Sequence, residues 1–255
     1  MKPKPIIIDK SVFVEEINRD NLCNFVAGHF LILPMNLYSE CATNEKNWQK
    51  QFEKFRKIII SGGHTCNSGE YMIREEGGSL LPFDFQSDVE KETYKMREEF
   101  RKGGRFAKPN INDIRKSHME SAQALIDYYR IVTLGVSGEE FKSAAEEVRK
   151  LNTDRENRFT IWARTVKNLN IHDLAVRSKL SKSPEKYCLS TEWISWHYLR
   201  VATILAFEYT YLGGKVGRYQ LTNAEHDLHD EEYVFLLSKA DGLLTRDNKL
   251  EPLTK

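Results

Sequence analysis

The sequence predicts an α/β protein: a central parallel sheet assembled from both ends of the chain, carrying a large, mostly helical insertion. Three observations predict it. Two short apolar runs near the N terminus, Ile6-Ile7-Ile8 and Phe30-Leu31-Ile32-Leu33, are unalternated, as strands buried on both faces of a parallel sheet are. Each is followed by a stretch at helical spacing, the alternation that right-handed crossovers require. A third short run, Gly242-Leu243-Leu244-Thr245, repeats the pattern at the other end, after a helical stretch of its own.

Residues 1–44 run strand, helix, strand, helix. Ile6–Ile8 is β-branched throughout, which suits a buried, pleated segment. Ser11–Ala27 carries Val12, Phe13, Val14, Ile17, Leu22, Phe25 and Val26 near helical spacing. Pro34 stops the second strand, and a helix begins near Asn36 with Leu37, Tyr38, Glu40 and Cys41. Residues 45–220 are expected to be almost wholly helical, over Trp48–Ile60, Val89–Arg101, Ile114–Thr133, Glu139–Leu151 and Thr191–Leu212. Glycine-bearing stretches at 61–70, 75–84 and 101–110 separate several of these helices. Thr191–Leu212 is apolar on more than one side, so it is a core or interface helix, closed by Gly213-Gly214. Glu231–Ala240 is a short amphipathic helix with Asp230 as its N-cap, and the strand Leu243–Thr245 follows. The expected domains are a discontinuous core of residues 1–44 and 221–255 and a helical insertion of residues 45–220.

Composition narrows the function classes. At 255 residues with 29% charged and 11% aromatic side chains, the chain suits a globular protein rather than a disordered one. A net charge of +1 gives no global attraction to polyanions, so any basic patch must be local. No apolar run approaches the roughly 20 residues that span a bilayer, and the start has no signal-length apolar segment. Cys23, Cys41, Cys66 and Cys188 show no C-x-x-C spacing, so neither a zinc knuckle nor a redox motif is signalled. A cytoplasmic location is the expectation.

In an open parallel α/β sheet, ligands gather at the carboxyl ends of the strands. Asp9 stands directly after the first strand and Asp247 just past the last, while Glu40 lies about one turn into the helix after the second. Asp230 opens the helix leading back into the last strand, and Asp227 competes with it; "HDLHDEEY" supplies either or both. Singly, each has a plainer role. Asp9 is a turn former, Glu40 a solvated helix residue, and Asp230 a cap worth about 1 kcal/mol. Thr245 is a strand-end hydroxyl that orients Asp247 or the backbone. If the two terminal strands lie side by side, however, these carboxylates converge on one cleft. Packed like charges repel, and a divalent cation neutralises them; all-oxygen ligands suit Mg²⁺ or Mn²⁺.

"IIIDKSVF", "LPMNLYSE" and "HDLHDEEYVFLLSKADGLLTRDNKL" together resemble the PIN-domain (PIN-like) nuclease superfamily. That family places an Asp at the end of its first strand and a Glu on the helix after its second. Another Asp opens a late helix, and a last Asp follows the fourth strand, usually as Thr/Ser-x-Asp. The resemblance implies a three-layer α/β/α core around a central parallel sheet. It implies Asp9, Glu40, Asp230 and Asp247 as catalytic, metal-binding carboxylates, with Asp227 as a further candidate ligand and Thr245 in support. The implied function is a metal-dependent nuclease that hydrolyses a phosphodiester with Mg²⁺- or Mn²⁺-activated water and no covalent enzyme intermediate. RNA is implied ahead of single-stranded DNA because the family most often cleaves it, and a toxin or defence role is compatible. The resemblance covers about residues 1–44 and 222–252, and the long middle has no counterpart in it.

Two other phosphate-handling patterns fall away. Haloacid-dehalogenase phosphatases need a second Asp two residues after the first, where this chain has Ser11. His226-Asp227 lacks the upstream histidine of HD-type phosphohydrolases, since His64 and His118 stand in unrelated settings. Residues 95–116 are rich in cations, with Arg101, Lys102, Arg105, Lys108, Arg115 and Lys116 as candidate phosphate-backbone contacts around Gly103-Gly104 and Pro109. Phe106 could stack on an unpaired base. The plainer account of that segment is a solvated charged helix pair. The alternative for the whole chain is a catalytically inactive PIN-like module that binds nucleic acid or protein. A homo-oligomer or protein partner engaged through the insertion is compatible with either reading.

Overall fold

The computed structural model of the chain describes residues 5–14, 29–43, 47–103, 111–132, 138–151, 154–170, 189–213 and 221–246. Pro5–Ile8 forms β1, and Phe30–Pro34 forms β2 parallel to it, with Ile6 opposite Leu31 and Ile7 opposite Ile32. A third strand, β3 at His64–Cys66, pairs in parallel with β2. On the other side of β1 lies β4, Gly242–Leu244, also parallel, with Ile8 opposite Leu244. The sheet order is β3-β2-β1-β4. The two ends of the chain are therefore neighbouring strands, as the sequence predicts.

β3 lies inside the stretch expected to be helical, in the glycine-bearing segment 61–70. Three residues are too few to show a period. Side chains from Phe85–Arg101 (α5) hold it in place. The Thr65 amide donates to the Thr93 hydroxyl at 3.0 Å, and Thr65 Oγ1 donates to the Leu33 carbonyl on β2 at 2.7 Å. Just beyond the strand, Asp88 accepts from the Asn67 backbone and side chain at 2.9 and 2.7 Å. These partners are distant in sequence, and no local signal announces them.

The helices of the sheet-bearing part are α1 (Lys10–Val14), α2 (Met35–Ala42), α3 (Trp48–Ile60) and α5. The expected first helix, Ser11–Ala27, begins at Lys10, and residues 15–28 lie outside the described ones. One face of the sheet, Ile6, Ile8, Leu31 and Leu33, packs with Val12 and Phe13 of α1 and Leu37 and Cys41 of α2. Phe55, Ile58 and Ile59 of α3 and Met96 and Phe100 of α5 belong to the same cluster. Ile7 and Ile32 point to the opposite face and are fully buried as well, which is why these runs do not alternate.

The chain divides into two units. The first, Met1–Met72, Asp84–Ser117 and Leu236–Asn248, contains the whole sheet; the second is Ile73–Phe83, His118–Phe235 and Lys249–Lys255. The sheet-bearing unit thus draws β3, α3 and α5 from the stretch assigned to the insertion.

The second unit is built from helices: Ile111–Ile131 (α6) from His118 on, Gly138–Leu151 (α7), Arg155–Lys167 (α8), Ile194–Tyr211 (α9) and Leu221–Leu236 (α10) as far as Phe235. Trp162, Tyr129 and Phe207 fill its core. Buried Glu208 of α9 accepts from Trp162 Nε1 at 2.9 Å and from Arg158 at 2.6 Å, so the charge does not stand alone. The break expected over 75–84 falls in its second half: α4 (Gly69–Ser79) runs through Gly77 and Gly78, and α5 begins at Phe85. Its Glu76 is fully buried and caps another helix. Glu76 accepts from the Ile194 and Ser195 amides at 2.8 Å each, from Ser195 Oγ at 2.5 Å and from the Phe83 amide at 3.0 Å. The first turn of α9 has no side-chain cap of its own at Trp193, and this remote carboxylate meets its orphan donors and its positive end.

Replacing Glu76 with alanine strands four donors at once. Thermal or urea unfolding of Glu76→Ala is expected to show a loss of about 3–5 kcal/mol, the cost of uncovering a buried charge-assisted network. A loss under about 1 kcal/mol would contradict this capping role.

Candidate functional site

Asp9 is the last ladder residue of β1 and the first of the turn into α1. Its amide donates to the Leu244 carbonyl of β4 at 3.0 Å, and its own carbonyl accepts from Phe13 in the first turn of α1. The backbone on both sides of Asp9 is thereby fixed. Its side chain is 5% exposed and takes two hydroxyl hydrogen bonds on the same oxygen: Ser11 Oγ donates to Oδ2 at 2.5 Å and Thr245 Oγ1 at 2.7 Å. Ser11 Oγ in turn accepts from the Arg246 amide at 2.9 Å. Both donors crowd onto Oδ2, and Oδ1 takes no hydrogen bond from the described residues. The carboxylate is oriented through one oxygen and presents the other.

Thr245 is expected to orient Asp247 or the backbone; among the described residues its hydroxyl reaches Asp9. Asp247 itself lies outside the described residues. Ser11, the wrong residue for phosphatase chemistry, is a second holder of Asp9. An Asp-x-Ser spacing at a strand-to-helix turn is the local signal that points to it, because a hydroxyl two residues on can fold back to the carboxylate.

Glu40 sits on α2 and is 6% exposed. Lys10, the residue after Asp9, places its ammonium 3.3 Å from Glu40 Oε2. Lys10 is half-exposed, and its charge offsets Glu40 at the carboxyl end of the sheet. Lys54 of α3 supplies a second cation nearby. Its ammonium donates to the Phe13 carbonyl and lies 5.0 Å from that ring's centre, and burial lowers its pKa. Cys41, next to Glu40, has its thiol pushed up to about 12 by burial, with the Glu40 charge adding to the effect. It stays protonated, so it is not a nucleophile here.

One turn before Glu40 stands a residue that no motif singles out. Asn36 is 4% exposed, and neither Nδ2 nor Oδ1 has a hydrogen-bond partner among the described residues. Residues four apart share a helix face, which puts Asn36 beside Glu40, while Leu37 and Cys41 turn into the apolar core.

Asp230 does not open a helix. α10 begins at Leu221, so Asp230 and Asp227 are interior helical residues, and the capping role is withdrawn for Asp230. Both belong to the second unit, half-buried, where their charges act on Glu231. Glu231 is fully buried and accepts from Tyr129 Oη at 2.7 Å. Burial first, then Asp227 and Asp230, hold its carboxyl well above the usual range. Little in the sequence marks it, since Glu231 reads as one more acid in an acidic run.

Of the basic candidates, Arg101 and Lys102 are exposed at the end of α5, and Arg115 and Lys116 are exposed on α6. Arg101 pairs with Glu98 at 3.1 Å. Arg105 and Lys108 lie outside the described residues, as does Phe106. Two cations of the same segment serve the fold: Lys95 pairs with Glu92, and Arg97 donates to the Ile59 and Gly63 carbonyls at the end of α3.

Among the described residues, no three His, Cys, Asp or Glu side chains are grouped to hold a metal ion. Mg²⁺ does not need three: it keeps several waters and binds through one or two carboxylates plus substrate phosphate. The carboxylates of Asp9 and Glu40 at the carboxyl ends of β1 and β2 are hard donors of that kind and fit such an ion. No family model, curated protein or solved structure matches the chain. No helix among the described residues is long and apolar enough to cross a membrane.

The Thr245 hydroxyl ties the C-terminal strand to Asp9 through a charge-assisted bond. Thr245→Val, which keeps shape and deletes the donor, is expected to cost about 2 kcal/mol. Thr245→Ser should stay near the parent. Equal melting temperatures for all three proteins would mean that the bond contributes nothing.

Proposed function

We propose that this chain is a metal-dependent nuclease with a PIN-like, three-layer α/β/α core that hydrolyses phosphodiester bonds in RNA. The observation that carries the reading is the Thr245-to-Asp9 hydrogen bond, which brings the two motif-bearing ends of the chain to one carboxylate. The parallel order β3-β2-β1-β4 supports it, as does the position of Asp9 and Glu40 at the carboxyl ends of β1 and β2. Bound Mg²⁺ or Mn²⁺ supplies activated water and neutralises charge on the phosphate and leaving oxygen.

The chain's own residues do the rest. Ser11 and Thr245 fix the Asp9 carboxylate through Oδ2, which would leave Oδ1 to hold a cation. Glu40 is the second carboxylate, and Lys10 holds it in place. In the sequence pattern Asp230 or Asp227 is the third acid and Asp247 the last; of these, Asp247 belongs to the same unit as Asp9 and Glu40. Arg101, Lys102, Arg115 and Lys116, with Arg105 and Lys108, neutralise the nucleic-acid backbone. The reaction is direct attack of water, with no covalent enzyme intermediate.

The Lys10–Glu40 pair favours a second reading. A lysine already offsets Glu40 without any metal, as a silent PIN-like binding module would need. Asp9→Asn separates the two, because it keeps shape and removes one charge. With Mn²⁺ and a single-stranded RNA, cleavage by Asp9→Asn is expected to fall by about 100-fold or more while RNA binding survives or tightens. Cleavage equal to that of the parent would hand the chain to the binding-module reading.

A further inference from the structure

Glu40 and Glu208 are both nearly buried carboxylates with a cation beside them, and the two pairs are built differently. Arg158 grips Glu208 through Nε and Nη2 at 3.0 and 2.6 Å, with Trp162 Nε1 as a third donor. Both charged side chains are largely buried, so this pair is made to stay. Lys10 meets Glu40 through one ammonium contact at 3.3 Å, and its side chain is 40% exposed against 7% for Glu40. The lysine stem is flexible and its head is strongly hydrated. Such a contact opens at little cost, because the ammonium can turn into water while the stem stays in place.

The asymmetry has a chemical meaning. A nearly buried carboxylate stays ionised only with a counter-charge, so Lys10 can leave Glu40 only when another cation arrives. Lys54 is no substitute, since its ammonium is committed to the Phe13 carbonyl and lies over that ring. The contact also gives the arriving ion a way in, because the Glu40 oxygen touches a side chain that itself reaches solvent. We infer that Lys10 is the resident counter-ion of Glu40 in the metal-free protein, and that Mg²⁺ or Mn²⁺ binds by displacing its ammonium to solvent. Lys10 thereby sets how tightly the metal is held: it stabilises the metal-free carboxylate and competes with the ion for it. The inference rests on the metal-nuclease reading of Glu40 and adds a residue that regulates metal affinity there.

The test titrates the full chain with Mn²⁺ and reads the loss of the free-ion EPR signal, with Glu40→Gln identifying the binding that belongs to this site. Lys10→Met keeps the stem and deletes the charge. Without metal it is expected to melt below the parent, because Glu40 has lost its counter-ion, and saturating Mn²⁺ is expected to close that gap. Its Mn²⁺ affinity should rise by more than about twofold and on the order of fivefold, the effect of one partly exposed ion pair that no longer competes. A purely structural ion pair would not move the affinity in that direction. Affinity within about twofold of the parent's, or weaker, overturns the inference and leaves the metal site standing. A parent that binds no Mn²⁺, or binds it equally well as Glu40→Gln, removes the metal-ligand reading of Glu40 and this inference together. Should Lys10→Met not fold, the same titration on the neutral Lys10→Gln decides the matter by the same thresholds.

Discussion

The structure of the sheet-bearing unit depends on one carboxylate being held from both ends of the chain. Asp9 is nearly inaccessible, and a buried charge is tolerated only where it is hydrogen-bonded. Its hydrogen bonds come from Ser11, two residues on, and from Thr245, just after the last strand. The same junction fixes the backbone, because the Asp9 amide closes the β1–β4 ladder on Leu244 and Arg246 bonds back to Ser11. Moving β4 by one register would break all three connections and turn its side chains to the other face.

The second consequence is electrostatic. Placing Asp9 and Glu40 at adjacent strand ends gathers negative charge where the sheet opens, and the protein answers with cations from the nearest helices. Lys10 pairs with Glu40, and Lys54 anchors on the end of α1.

Much of this was legible in the sequence. The apolar runs at 6–8, 30–33 and 242–245 became parallel strands, and Asp9, Glu40 and Thr245 came to the same end of the sheet. The helix over Trp48–Ile60 matched residue for residue. What escaped reading was whatever depends on remote partners. β3 is held by Thr93 and Asp88, and α4 continues through two glycines to place Glu76 against α9. The start of α10 was misplaced because Asp230 looks like a cap, whereas the helix already runs from Leu221 through a polar stretch with no apolar period to reveal it. The unpartnered amide of Asn36 was invisible for a different reason: a sequence does not display missing hydrogen bonds.

The central claim is that the cleft formed by the two chain ends binds a divalent cation through Asp9 and Glu40. Paramagnetic broadening of backbone amide signals by substoichiometric Mn²⁺ tests it directly, because it reports position without requiring activity. The expected result is that the amides of Asp9, Glu40 and Thr245 broaden first and together, from three separated parts of the sequence, and that Asp9→Asn abolishes the effect at all three. Broadening that spares Asp9 and Glu40, or that persists unchanged in Asp9→Asn, would contradict it.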